Sequence, residues 1–310
     1  MMRASETWQP DVRAVMDASP FLGRAAVDMT DPEFIAAARA RGPLPESVEG
    51  VEITETTLPG EDGHAVPVRV YRPTTPAPGR PAYVLFHGGG WSFGSLDTEH
   101  PRCVELTRRC GAVGVSVDFR MAPDVPAETM LADCWAAVRW TAERDDVDAA
   151  RVVVTGSSAG GALALSMAQI ARDRGAVPPA LQLAFYPNTD DRVHPSRLSP
   201  AFPVIDGQQV AQVVANVRQG RADTPAYVFP NRTTDLSGLA PAFLLVAGND
   251  PLRDEALAYA RRLVAADVPV ELHLLPGIPH AFDGIAPESQ STRTAYDLMC
   301  AAFDRAVRPR

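Results

Sequence analysis

The chain contains no lysine; all 29 of its Lys and Arg residues are arginine. That absence removes the P-loop lysine, the Schiff-base lysine and the Ser-Lys dyad at once. Cysteine is sparse. Cys103, Cys110, Cys134 and Cys300 form no C-x-x-C pair, so free, mostly buried thiols are expected rather than a disulfide framework or a zinc site. No H-E-x-x-H spacing occurs, and neither a metal nor another cofactor is expected. Long apolar runs are missing too; none approaches the ~20 residues of a membrane span. The opening "MMRASETWQPDVRAVMDASP" has no apolar h-region, so no secretory signal is read and the cytoplasm is the expected compartment. Basic residues are outnumbered 29 to 38, a net charge of −9, which argues against a nucleic-acid partner.

What is present reads as a globular α/β protein. Of 310 residues, 46% are hydrophobic and 22% charged, enough for one large domain or two ordinary ones. "VEITETTL" and "VPVRVYRP" are strands joined by the turn "PGEDG". From "AYVLFH" onward, short Val/Leu-rich runs alternate with helical patterns of ten or more residues. That alternation predicts βαβ units and a largely parallel sheet, with the first two strands as an antiparallel edge. Asp97 is the expected N-cap of the helix that Gly111 stops, and Thr30 with Glu33 reads as a capping box. Two segments break the alternation: residues 1–45, and a Pro-, Asn- and Asp-rich insertion at 188–239 with one amphipathic helix. Long insertions after strands often form lids.

"VVVTGSSAGG" carries the chemistry. A strand runs into G-x-S-x-G, Gly156 to Gly160, and a helix follows at once. A nucleophile elbow needs that context, and it makes Ser158 the nucleophile. A merely anion-binding βα turn is the competing reading. Ser157 is the wrong serine for the motif. The base is expected later in the chain. His194 lies in the insertion and His273 inside a strand, whereas His280 in "PGIPHAF" follows a strand end, where ligands of parallel sheets gather. Asp250, at the end of "AFLLVAGND", is the expected acid, and it can also serve the start of the next helix. Asp254 and Glu255 are weaker candidates. "HGGGW" supplies three glycines, Gly88 to Gly90. They allow backbone N–H groups to approach a substrate oxyanion, with Gly88, Gly89 and Ala159 as the expected donors and Gly90 as a further one. His87 is then a scaffold residue.

"HGGGW", "GSLDTEH", "DFRMAPD", "GSSAGG", "DLSGLAPAFLLVAGNDPLRDEA" and "PHAF", in that order, resemble the hormone-sensitive-lipase family of α/β-hydrolases. The resemblance runs from about residue 50 to the end. It implies an eight-stranded, mostly parallel sheet with helices on both faces. Residues 46–187 and 240–310 would form the core, and 1–45 and 188–239 a helical cap. It implies the same Ser158, Asp250 and His280 triad. Ser157 departs from the family, where many relatives carry an acidic residue. The expected activity is hydrolysis of small carboxylic esters, of short to medium acyl length, without a cofactor. The alternatives are an amide, carbamate or lactone hydrolase with the same triad, or a non-catalytic receptor. A homodimer is one expected assembly. Trp91, Tyr186, Phe202 and Phe282 are the candidates for an apolar substrate pocket.

Overall fold

A computed structural model describes residues 8–18, 27–199 and 204–308. Two helices come first, α1 (Pro10–Ala18) and α2 (Pro32–Arg39), followed by β1 (Val51–Pro59), β2 (Ala65–Pro73) and β3 (Arg80–Phe86). Alternation then sets in with α3 (His100–Cys110), β4 (Val113–Val117), α4 (Ala127–Ala142), β5 (Val147–Ser157), α5 (Ser158–Asp173) and β6 (Leu181–Phe185). The insertion contains α6 (Gly207–Arg218). The chain continues with β7 (Ala242–Asn249), α7 (Arg253–Ala265), β8 (Val270–Pro279), α8 (Phe282–Ile285) and α9 (Gln290–Ala306).

The eight strands form one sheet in the order β1-β2-β4-β3-β5-β6-β7-β8. β2 runs antiparallel to both neighbours, and every pair from β4 to β8 is parallel. Every residue of β4 and β6 is buried, as expected for strands covered on both faces. Alternate residues sort to the two faces. Val84 and Phe86 pack with α4 and α5, and Tyr83 and Leu85 pack with α3 and α9. The strand order reverses between β3 and β5. The loops leaving their carboxyl ends therefore diverge, and a crevice opens between them.

Several helix starts differ from expectation. Asp97 does not cap α3; its carboxylate pairs with buried Arg69 at 2.8 Å and accepts the Gly42 N–H at 2.7 Å. Pro101, tolerated only in a first helical turn, holds the start back to His100. The cap of α2 is Asp31, not Thr30, with Pro32 just inside the helix; Asp31 accepts the Glu33 N–H and the Thr30 hydroxyl turns to Asp28.

The N-terminal segment divides. Val12 and Met16 of α1 dock among the α9-side core residues, while residues 27–29 are strapped to α6. There Gln212 accepts the Met29 N–H, and Gln209 and Asn216 donate to the Val27 and Met29 carbonyls, all at 3.0–3.1 Å. The insertion divides as well. α6 starts with a full capping box, Asp206 with Gln209, and leans over the glycine loop. Leu236 and Leu239, near the insertion's end, pack instead with α5 and α7.

Candidate active site

Four loops converge on the crevice, each from the carboxyl end of a parallel strand: the glycine loop after β3, the elbow after β5, Asp250 after β7 and His280 after β8. The elbow is tight because α5 returns against β3. A Cβ on Gly160 would lie 2.0 Å from the Phe86 carbonyl oxygen, so only glycine fits. Ser158 takes the left-handed conformation, φ +53°, which costs a non-glycine residue energy and pushes its side chain into the open.

Ser158 Oγ lies 3.0 Å from His280 Nε2, and His280 Nδ1 lies 2.8 Å from Asp250 Oδ2. An ionised carboxylate only accepts, so Nδ1–H donates to Asp250 and Nε2 is left to accept the serine proton. Asp250 is fully buried, and its other oxygen, Oδ1, accepts the Leu252 N–H at 2.9 Å. The competing acids face elsewhere. Asp254 accepts the Ser196 N–H, and Glu255 binds Arg197 and the Thr189 N–H beneath the insertion. His273 bonds Glu271 on the β8 strand, and His194 bonds Asp190.

The glycine loop changes one expectation. Both ends of Gly88 are occupied: its carbonyl accepts from His87 Nδ1 at 2.8 Å, and its N–H points at Glu99 Oε1, 3.4 Å away. The His87 ring stacks on Phe119, and burial lowers its pKa. The Gly89 and Gly90 N–H groups have no acceptor among the described residues. The N–H groups left without an acceptor are those of Gly89 and Gly90, whereas that of Gly88, an expected oxyanion donor, faces Glu99. Across the crevice, Ala159 sits in the first turn of α5, where N–H groups lack intrahelical partners.

A cavity of about 470 Å³ opens onto Ser158 and His280. One wall is apolar, with Met29, Phe34, Ile205, Val210 and Val213. The other is polar and buried, with Glu99, Arg102, Tyr186, Asp283 and Tyr296. Arg102 lies between Glu99, at 2.7 Å, and Asp283. Burial raises the Glu99 pKa more than Arg102 lowers it; for Asp283 the opposing pull of Arg102 and the Tyr186 hydroxyl exceeds the effect of burial. The Tyr186 hydroxyl donates to Asp283 at 2.5 Å, and its ring meets the His280 ring edge-on at 4.8 Å. Of the four aromatics expected around a substrate, Tyr186 alone is seen to line this cavity. Trp91 is buried against Phe229 and Phe282 against Tyr186, because each ring finds an aromatic partner in the core. Phe202 lies outside the described residues. The sequence assigns no role to Glu99, although it lies in "GSLDTEH", nor to Arg102 or Asp283; what sets them apart is burial of charge, which spacing does not reveal.

Residues 83–284 match the family model of the α/β hydrolase fold. The chain belongs to that family. Its motifs place it in the hormone-sensitive-lipase-like branch. It is 38% identical to the esterase LipI of Mycobacterium tuberculosis, covering 89% of this chain and 88% of the relative. It is 36% identical to the carboxylesterase NlhH of the same species, covering 96% and 97%. Among solved structures, the esterase LipW of Mycobacterium marinum superposes with a TM-score of 0.86 at 33% identity, covering 99% and 98%.

Proposed function

We propose that Ser158, His280 and Asp250 form the catalytic triad of this chain. The chain is a carboxylic ester hydrolase. Ser158 Oγ attacks the ester carbonyl while His280 Nε2 takes its proton. Asp250 holds the imidazole in the required tautomer and stabilises its charged form. The Gly89, Gly90 and Ala159 N–H groups receive the oxyanion of the tetrahedral intermediate. His280 returns the proton to the departing alcohol. Water then splits the acyl-enzyme by the same steps, with His280 again as base.

The observation that carries this reading is the linked pair of contacts, 3.0 Å from Ser158 to His280 and 2.8 Å from His280 to Asp250. The cavity volume suits a small ester of short to medium acyl length, and its apolar wall suits an apolar arm. α6 with residues 27–40 acts as the cap. A homodimer through the β8 edge completes the reading, because β8 has one strand neighbour and exposes Leu272 and Leu274. The test of the active site is release of p-nitrophenol from short- and medium-chain esters. Wild-type protein turns them over, and Ser158→Ala lowers kcat by about 10⁴-fold or more. Comparable turnover by the folded variant would contradict the assignment.

A further inference from the structure

Glu99 occupies the N-cap position of α3 but caps nothing; its side chain makes no capping hydrogen bond to the helix backbone. The carboxylate turns inward and is 5% exposed. Oε1 accepts the Ser157 hydroxyl and, at 3.4 Å, the Gly88 N–H, while Oε2 pairs with Arg102 at 2.7 Å. Ser157 immediately precedes Ser158, and Gly88 immediately precedes Gly89. One carboxylate oxygen thus joins the two loops that supply the oxyanion donors. The joint is close-packed, since a Cβ on Gly88 would lie 2.9 Å from Ser157 Oγ. Burying a carboxylate is costly, and a helix cap could be made by an exposed one. The placement is explained if what Glu99 fixes is the separation of these loops.

We propose that Glu99, acting through Ser157 and Gly88, is a positioning residue for ester hydrolysis that sets the width of the oxyanion hole. Its carboxylate bonds Ser157, Gly88 and Arg102, and no hydrogen bond joins it to Ser158. The acid stands at the start of α3 and the hydroxyl on the elbow, so Ser157 is the hydrogen-bond donor of the pair. Arg102 balances the charge and continues the contact to Asp283, Tyr186 and the His280 ring. The nucleophile's two partners, oxyanion loop and base, are braced through one buried network. The inference rests on the triad and oxyanion assignments above.

Two readouts are needed: steady-state kinetics with a p-nitrophenyl ester, and inhibition by an aryl trifluoromethyl ketone. Ser158 Oγ adds to the ketone carbon, His280 takes the proton, and the resulting oxyanion fills the hole. Ser157→Ala is expected to lower kcat about 10-fold and Glu99→Ala about 10- to 100-fold, with KM within about three-fold. Ketone affinity should fall by the same factor as kcat/KM. Ser157→Asp sets a second carboxylate against Glu99 and should be worse than Ser157→Ala. Adding Glu99→Gln to it restores a single acid and should recover activity. If Glu99→Ala does not fold, Ser157→Ala and the Ser157→Asp/Glu99→Gln pair still decide. Folded Ser157→Ala with unchanged kcat and ketone affinity would overturn the proposal. So would a loss confined to KM, or a double variant no better than Ser157→Asp alone. Failure of the triad itself would show separately, as activity surviving in Ser158→Ala.

Discussion

Asp250 uses its two oxygens for two tasks, one on the Leu252 N–H and one on His280. Asp250→Asn keeps the shape and an acceptor for the Leu252 N–H. It also offers an amide N–H to His280, which favours the tautomer with Nδ1 unprotonated. The expected result is a kcat lower by about 10⁴-fold with the fold intact by circular dichroism and melting temperature. Asp254→Asn should cost far less, since Asp254 faces Ser196. Equal losses from the two variants would count against Asp250 as the acid. At this scale the sequence, through chain order and strand ends, was enough to single out Ser158, Asp250 and His280, which are linked by hydrogen bonds. It was not informative where a third dimension decides. The HGGG run marks a loop rich in accessible backbone N–H groups, but which of them are free depends on His87 and Glu99 turning onto Gly88. An aromatic beside a motif can line a cavity like Tyr186 or fill the core like Trp91, and local sequence is the same for both.

Among the elements, strands were legible because hydrophobic alternation and buried runs are long-range averages. Helix starts were less so, since one proline or one buried arginine moves a cap, as at Asp97. The insertion shows a third case. Its opening turn is held by Asp190, buried beneath Arg192 and His194. Burial opposes the charge on Asp190, but the Arg192 guanidinium, His194 and the Arg192 N–H outweigh it and hold the carboxyl at about 2. A carboxyl depressed in the folded state stabilises it above the unfolded value of about 4. That contribution is lost as the pH falls toward 2. Asp190→Asn should therefore destabilise the protein by on the order of 1–2 kcal/mol at pH 7, with the difference shrinking below about pH 4. Urea unfolding at pH 7, 5 and 3 measures it. A difference that stays constant across that range would remove Asp190 from the acid sensitivity of the fold.

For the molecule as a whole, the strand order decides where chemistry sits. The reversal between β3 and β5 sets the glycine loop beside the elbow, and β7 and β8 bring acid and base to the same edge of the sheet. The same order leaves β8 with an open side, where Leu272 is 40% and Leu274 46% exposed. Sedimentation velocity should report a dimer, and Leu274→Lys should convert it to monomer, because a charge on an open strand edge blocks pairing. A monomeric wild-type protein would contradict the dimer. Among the described residues no helix is long and apolar enough to cross a membrane, and no three His, Cys, Asp or Glu side chains are grouped to hold a metal. The central claim is that one serine, made nucleophilic by His280, carries the acyl group. Reaction with a fluorophosphonate, followed by peptide mass spectrometry and residual activity on a p-nitrophenyl ester, tests it most directly. The account predicts one adduct, on Ser158, formed in step with the loss of activity and absent from His280→Ala on the same timescale. An adduct on Ser157 or elsewhere, or full activity in protein labelled at Ser158, would contradict it.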